Sequence, residues 1–289
     1  MATTTTNRTG ETRTRITNRF FKTADTLKEA VDKGADVRKL ELMVFTFRGF
    51  KILSHYALSK DREKRLFAAE NLGRFLNKYG EMHPVFMFGV EITKLVQDPD
   101  KDVRVAFCRN FVTGNNLVRY IKIINMICQN ADADMLNAIR EGAVETAKDN
   151  NYTQETREKG VEILLIVLTT STMLKADEVK GDVASDLGGV ESRYLEQPIG
   201  RFLTSVNASI EHCKQHPGAE SELSYEEALI ISTIAIVSRI KNLKGTEGLW
   251  AQLVTEQFLP APVREEIAKM LISFGVPITM TIGTITPQA

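Results

Sequence analysis

The sequence predicts an all-α protein, and three observations lead to this prediction. Apolar residues recur at helical spacing along most of the chain, and strand-like alternation is nearly absent before the last residues. Prolines and carboxylates mark helix starts, whereas glycines mark helix ends. Of the 289 residues, 43% are hydrophobic and 26% are charged, so the chain can bury a sizeable core as one large domain or as two lobes.

Residues 1–34 combine a basic tail with one short helix. Residues 1–15 are polar, and they carry too little apolar surface to offset the cost of ordering. A helical pattern follows and ends at Gly34, and such a helix can pack on its own core or on a neighbouring copy. The apolar anchors of this predicted helix are Phe20, Phe21, Leu27 and Val31.

Three aromatic residues and two cations lie close together after the second helical pattern. They are Phe45, Phe47, Arg48, Phe50 and Lys51. Such a mixture suits base stacking beside phosphate contacts, and it also suits a helix corner that is buried in the core. The residues alone favour the buried corner over the stacking site.

The stretch from Asp98 to Lys122 is the best candidate for binding a negatively charged ligand. It opens with Pro99 and nearby carboxylates, which indicate a helix start whose acidic groups complement the helix dipole. A Gly-Asn turn then joins two predicted helical segments. Cations occur along both segments, at Arg104, Arg109, Arg119 and Lys122.

A short internal similarity links this stretch with the preceding helix at a constant offset along the chain. Asp-Pro-Asp followed by Val-Arg is also typical of the turn in HEAT repeats, and the offset falls within the period range of such arrays. A stable solenoid needs about three repeats, and we find no third copy in register. The matching pairs are Asp61 with Asp100, Arg65 with Arg104, Asn71 with Asn110, and Leu72 with Phe111.

Further buried helices are predicted in the second half of the chain. Residues 155–174 have a centre that is apolar almost all round, 225–240 form a second buried helix, and 263–274 form the last one. Residues 175–192 carry Gly and Asp at turn-like spacing with few apolar anchors, which predicts a surface loop. Residues 277–289 alternate Ile and Thr and are predicted to form an extended tail.

The sequence lacks the common signatures of catalysis, metal binding and membrane insertion. No G-x-G-x-x-G, P-loop, H-E-x-x-H, G-x-S-x-G or EF-hand pattern occurs, so we do not expect an enzyme. The three cysteines are widely spaced and the four histidines give one close group, so we expect neither disulfides nor a metal, and no cofactor. We also expect neither a signal peptide nor a membrane-spanning helix, because no apolar run of the required length occurs.

The net charge of zero hides an asymmetry between the start and the rest of the chain. Residues 1–80 carry 17 Lys and Arg against 9 Asp and Glu, and residues 81–289 carry 20 against 28. A basic first part indicates an anionic partner such as nucleic acid, although solvated helix faces explain it equally well. The pI near 6.9 argues mildly against a nucleic-acid binder, which is usually basic overall.

Five short segments, taken in order, carry a resemblance to a known family. They are Phe45–Phe50, Leu76–Gly80, Asp100–Asn115, Ser238–Gly245 and Arg264–Gly275. Their content and order resemble the nucleocapsid proteins of the phlebovirus and tenuivirus group of segmented negative-strand RNA viruses. The similar segments span most of the chain from Phe20 to Gly275.

The resemblance implies an all-helical, two-lobed protein that packs single-stranded genomic RNA in a basic cleft. It also implies an N-terminal exchange arm, anchored by the aromatic and aliphatic residues named above, that reaches onto the next subunit and builds oligomers. The expected divisions are a basic tail and arm at 1–34, an N-terminal lobe at 35–150, a C-terminal lobe at 151–275 and an extended tail at 276–289.

The resemblance also suggests which residues hold RNA. Phe47 and Phe50 would stack on bases, and Arg119 and Lys122 would bind phosphates after the Gly-Asn turn. The family tends to have Arg and Lys where this chain has Thr113 and Asn116, and we expect Arg104 and Arg109 to compensate. The full predicted RNA-binding set is Phe47, Arg48, Phe50, Arg104, Arg109, Asn115, Arg119, Lys122, Arg239 and Lys244.

The expected function is therefore sequence-independent encapsidation of single-stranded genomic RNA by a viral nucleoprotein in the virion and the host cytoplasm. Its partners would be RNA, further copies of itself and the viral polymerase. The alternative is a HEAT-like α-helical scaffold that mediates protein–protein interaction.

Overall fold

The structure, a computed structural model, describes residues 49–79, 89–215, 245–255, 261–281 and 284–287, together with positions 233, 234, 236–238, 240, 243 and 259. In this part of the chain the all-α prediction is confirmed at the level of secondary structure, because helices dominate and the strands form one short hairpin. The helices are α1 Gly49–Ala57, α2 Arg62–Tyr79, α3 Gly89–Val96, α4 Lys101–Phe111, α5 Asn116–Arg119, α6 Ile121–Gln129, α7 Ala133–Lys148, α8 Gln154–Met173, α9 Asp177–Gly188, α10 Ser192–Gln215, α11 Glu247–Val254 and α12 Ala261–Ser273. The strands are β1 Ile278–Thr281 and β2 Thr284–Pro287.

The chain divides into two compact units, Met1–Phe111 and Val112–Ala289. The lobe boundary predicted at residues 150/151 falls inside the second unit, between α7 and α8, which pack against each other. Gly160 of α8 allows a close approach, since a Cβ there would lie 2.8 Å from the backbone oxygen of Ala143. The polar break at this point in the sequence is therefore a turn within a helix pair.

A buried arginine ties α7, α8 and α10 together in the second unit. Arg157 donates from Nε to the backbone oxygen of Ala147 at 2.9 Å and from Nη1 to Asn150 Oδ1 at 2.7 Å. Nη1 also donates to the Tyr194 hydroxyl at 2.7 Å, and the Tyr194 ring centroid lies 3.7 Å from the guanidinium carbon. Arg157 thus satisfies a carbonyl at the end of α7 while it anchors the start of α10.

Most of the segment 175–192 is helical, so the surface loop predicted there is wrong. Helix α9 packs on α7 and α8. Asp186 of α9 accepts hydrogen bonds from Arg140 at 2.5 Å and from Lys148 at 3.3 Å, and both donors belong to α7. These ion pairs complement the few apolar anchors that α9 buries, which are Val179, Val183 and Leu187.

The C-terminal residues form an antiparallel hairpin instead of a single extended tail. Ile278 pairs with Pro287, and Thr281 pairs with Thr284. β1 lies beside α12, and β2 lies beside α11. The alternation of Ile and Thr is therefore the pattern of two paired strands.

The described residues of the first unit contain two helix pairs, α1 with α2 and α3 with α4. Within each pair the two helices pack together, α1 also packs on α3, and α2 packs on α4. The two pairs therefore stack with first helix on first helix and second helix on second helix, which is how neighbouring repeats contact each other in a solenoid.

Equivalent hydrogen bonds recur at matching positions of the two pairs. Arg65 donates from Nη1 to the backbone oxygens of Ser59 and Lys60, at 3.3 and 2.9 Å. Arg104 donates to the oxygens at the corresponding positions before it, at 2.8 and 3.4 Å. Asn71 and Asn110 each donate from Nδ2 to the oxygen four positions earlier, at 2.8 Å. The similarity seen in the sequence thus corresponds to a repeat in the structure.

Candidate nucleic-acid interface

The Gly-Asn turn of the second unit has a fixed conformation. Gly114 has φ 54°, a left-handed conformation that favours glycine. Its N–H donates to the buried Oγ1 of Thr146 in α7 at 2.8 Å, and Thr146 in turn donates to the backbone oxygen of Gly142 at 2.9 Å. The turn predicted from the sequence is therefore held against α7 by a side chain 32 residues further along the chain.

Three predicted RNA-binding residues lie in the short segment that follows this turn. Asn115 precedes α5, Arg119 ends it, and Lys122 lies in the first turn of α6 beyond Tyr120, which belongs to neither helix; we call Asn115, Arg119 and Lys122 the basic turn segment. Lys122 is exposed, and the other two are half-buried. Tyr120 and Ile124 of the same segment are buried. The two cations therefore lie on the solvent side of a segment that the core holds in place.

The two positions where the resemblance would place charge differ from each other in burial. Asn116 has a relative exposure of 0%, whereas Thr113 is half-buried. A cation at position 116 would lose its hydration, and a buried charge is costly without a partner. In this chain position 116 belongs to the core, which gives a physical reason for its neutral side chain.

Arg104 holds its own turn. Its Nη1 donates to the oxygen of Asp98 at 2.8 Å and more weakly to that of Pro99 at 3.4 Å. The equivalent Arg65 holds the preceding turn in the same way, so this contact belongs to the repeat. Of the two arginines expected to compensate, Arg109 is exposed on α4, whereas Arg104 is half-buried.

The carboxylates that open the stretch pair with arginines of the preceding helix. Arg65 Nε donates to Asp98 Oδ2 at 2.6 Å, and the Asp98 side chain is 3% exposed. Arg62 Nε donates to Asp100 Oδ2 at 2.7 Å, which lowers the pKa of Asp100 and raises that of Arg62. These contacts join the two repeats, so the acidic turn stabilises the stack as well as starting α4.

The remaining predicted site residues lie outside the described part of the chain, either wholly or in their side chains. Phe50 belongs to α1, but its side chain lies outside the described part of the chain. The other predicted RNA-binding and oligomerisation residues that lie outside it are Phe47, Arg48, Arg239, Lys244, Phe20, Phe21, Leu27 and Val31.

A polar pocket of about 400 Å³ lies between α8 and α10. Its charges compensate one another, because Lys159 and Arg201 contact Glu162 at 2.6 and 2.7 Å, and Gln154 donates to Glu158 at 2.7 Å. The pocket therefore shows no preference for an anion. Its lining residues are Gln154, Glu155, Glu158, Lys159, Gln197 and Arg201.

The described residues show neither a metal site nor a membrane-spanning helix. They contain no group of three or more His, Cys, Asp or Glu placed to hold a metal ion. None of their helices combines the length and the apolar character that crossing a membrane requires. Comparison with known proteins adds no assignment, because no family model, no curated protein and no solved structure matches this chain.

Proposed function

We propose that the protein coats single-stranded RNA through phosphate contacts that do not depend on sequence. The basic turn segment carries this proposal, because the Gly114–Thr146 bond fixes the turn from which Arg119 and Lys122 extend. A backbone turn that is already fixed loses little further conformational freedom when the cations near it bind, so more of the interaction energy contributes to affinity. The resemblance to nucleocapsid proteins supports the same function.

A coating protein needs contacts that every nucleotide can offer. Arg119 and Lys122 would bind the phosphate backbone, and Asn115 would donate a neutral hydrogen bond beside them. The aromatic residues near position 47 would supply stacking surfaces, worth about 1–3 kcal/mol per stacked base. The protein would polymerise through residues 1–34 and meet RNA and the viral polymerase in the host cytoplasm and the virion.

The direct test is RNA binding by the purified full-length chain. Nucleic acid that copurifies is first measured by absorbance and removed with high salt. Labelled oligouridine, oligoadenine and oligocytosine are then titrated over a range of KCl concentrations. We expect similar affinities for the three sequences and a steep loss with salt. A chain that elutes free of nucleic acid and has no salt-sensitive affinity for RNA would refute the proposal.

Polymerisation is tested separately. Deletion of residues 1–34 is expected to convert RNA-containing assemblies to monomers, measured by light scattering, while the helical signal in circular dichroism persists. Unchanged assembly size would exclude the arm from oligomerisation.

A second candidate function is a helical scaffold that binds proteins. The matching hydrogen bonds of Arg65 and Arg104 favour it, because stacked helix pairs are typical of scaffolds with extended binding surfaces. The RNA titration separates the two candidates. A folded monomer with no affinity for RNA even at low salt would favour the scaffold.

A further inference from the structure

Helices α2 and α4 run side by side in the same direction. Near their starts Arg62 contacts Asp100 and Asp102 at 2.7 and 2.6 Å. Further along, a Cβ on Gly73 would lie 2.3 Å from the backbone oxygen of Asn110. The start of one helix thus meets the start of the other, and later residues meet later residues.

This arrangement turns two arginines to the same side of the helix pair. Successive residues rotate by about 100° around a helix. Arg74 follows the contact residue Gly73, whereas Arg109 precedes the contact residue Asn110, so the two rotations have opposite senses. When two parallel helices touch, the residue after the contact on one helix and the residue before the contact on the other lie on the same side of the pair.

Burial identifies this common side as the solvent side. Arg74 and Arg109 are both exposed. Leu72 and Phe111, which rotate the other way from the two contact residues, are fully buried. Lys78, one turn after Arg74, is exposed as well.

Charge is separated along the two helices. The carboxylates Asp100 and Asp102 lie at the beginning, where Arg62 contacts both. After Glu70, α2 contains no further carboxylate, and α4 contains none after Asp102. The later halves of these two helices are therefore rich in cations and poor in carboxylates of their own.

We propose that Arg74, Lys78 and Arg109, the basic strip, form a second contact with the phosphate backbone of single-stranded RNA, on the first unit. The inference rests on the proposed function and extends it, because the basic turn segment belongs to the second unit. Charged side chains bind phosphates, which every nucleotide carries, whereas base preference comes from contacts to the bases themselves. The basic strip thus adds affinity without adding base preference.

The test replaces all three residues by glutamine in the full-length chain and measures affinity for labelled oligouridine across KCl concentrations. We expect the triple variant to lose about tenfold or more in affinity at low salt. The slope of log K against log salt should fall by about 2, because each phosphate contact on a single strand contributes about 0.7. A matched variant with Lys94, Lys180 and Lys269 replaced by glutamine has the same net charge and should keep nearly all affinity.

Cations near helix C-termini also stabilise the helix dipole, so thermal unfolding of both triple variants is measured first. A drop in affinity from the folded variant, larger than the matched variant shows, supports the basic strip. If the wild-type chain binds RNA and the triple variant binds it with the same affinity and the same salt slope, the basic strip is overturned and the proposed function stays intact. If the wild-type chain does not bind RNA, both the proposed function and the basic strip as an RNA contact are overturned. If it binds polyglutamate instead, the basic strip is assigned to an acidic protein partner.

Discussion

The N–H of Gly114 donates to the buried hydroxyl of Thr146 at 2.8 Å, and this bond joins the Gly-Asn turn to the last turns of α7. The two residues are 32 positions apart. The conformation of the basic turn segment thus depends on a side chain that has no contact with RNA in the proposed function.

Thr146→Val removes the acceptor while it keeps the volume of the side chain. The Gly114 N–H is then buried without its partner, so we expect the free energy of unfolding to fall by about 1–3 kcal/mol. Affinity for RNA should fall as well, because the turn loses its anchor. Urea unfolding and RNA titration measure the two effects. Thr146→Ser keeps the hydroxyl and should keep the affinity, and equal losses in both variants would contradict the role of the hydrogen bond.

Arg119→Ala with Lys122→Ala should weaken binding of every RNA sequence to a similar extent. The slope of log K against log salt should become shallower by about 1.4, because each of the two lost phosphate contacts on a single strand contributes about 0.7. The control is Lys180→Ala with Lys269→Ala, which removes two surface cations that each contact a carboxylate three positions away. Titrations with oligouridine and oligoadenine measure the effect. A loss confined to one base would indicate base readout and contradict phosphate binding.

The turn at Gly114 could be predicted because its signal is local, but its anchor could not. A glycine followed by asparagine favours the left-handed conformation that Gly114 adopts. Thr146 gave no signal, since one threonine on a helical face carries no information about what its hydroxyl meets. Long-range contacts of this kind depend on packing that a single sequence does not encode in any short pattern.

Arg104 shows that one residue pattern can indicate two roles. An arginine after an acidic turn suits a phosphate ligand and suits a turn cap equally well. In the structure Arg104 and Arg65 make equivalent bonds to their own turns, so the cap is a property of the repeat. In helix α9 a local pattern predicted the wrong structure. Its glycines and aspartates resembled turn residues, although Gly181 lies inside the helix.

Gly73→Ala should destabilise the first unit. The added Cβ would lie 2.3 Å from the backbone oxygen of Asn110, so α2 and α4 would have to separate. Overpacking of this kind costs about 1–3 kcal/mol. The control is Gly181→Ala, which meets no atom within 4 Å and should stabilise α9 by up to about 1 kcal/mol. Thermal unfolding followed by circular dichroism measures both, and a higher Tm for Gly73→Ala would contradict the close approach.

The Arg62–Asp100 contact makes stability depend on pH in acid. The hydrogen bond from Arg62 lowers the pKa of Asp100. The stability that this carboxylate contributes is present above its unfolded pKa of about 4, and it is lost as pH falls through the lower folded value. Asp100→Asn should therefore be less stable than wild type at neutral pH, with a difference that shrinks on acidification. Urea unfolding from neutral pH to about pH 2.5 measures this, and a constant difference would assign the effect to something other than ionisation.

Two helices end in the same backbone motif with different residues in the left-handed position. Lys175 has φ 56° after α8, and Gly275 has φ 80° after α12. In both motifs the N–H of the next residue donates to the oxygen five positions before it, at 2.8 and 3.0 Å. This pattern is the Schellman motif, in which glycine avoids the strain that a side chain imposes.

Replacement at these two positions should therefore change stability in opposite directions. The left-handed conformation costs a residue with a Cβ about 1–2 kcal/mol in conformational energy. Lys175→Gly should raise the free energy of unfolding by up to about 1 kcal/mol, because the greater freedom of glycine in the unfolded chain offsets part of the gain. Gly275→Ala should lower it by a similar amount. Urea unfolding measures both, with Lys175→Ala as the control that removes the side chain but keeps the strain. If Lys175→Ala stabilised the protein as much as Lys175→Gly, the loss of the lysine side chain rather than the relief of backbone strain would be the cause.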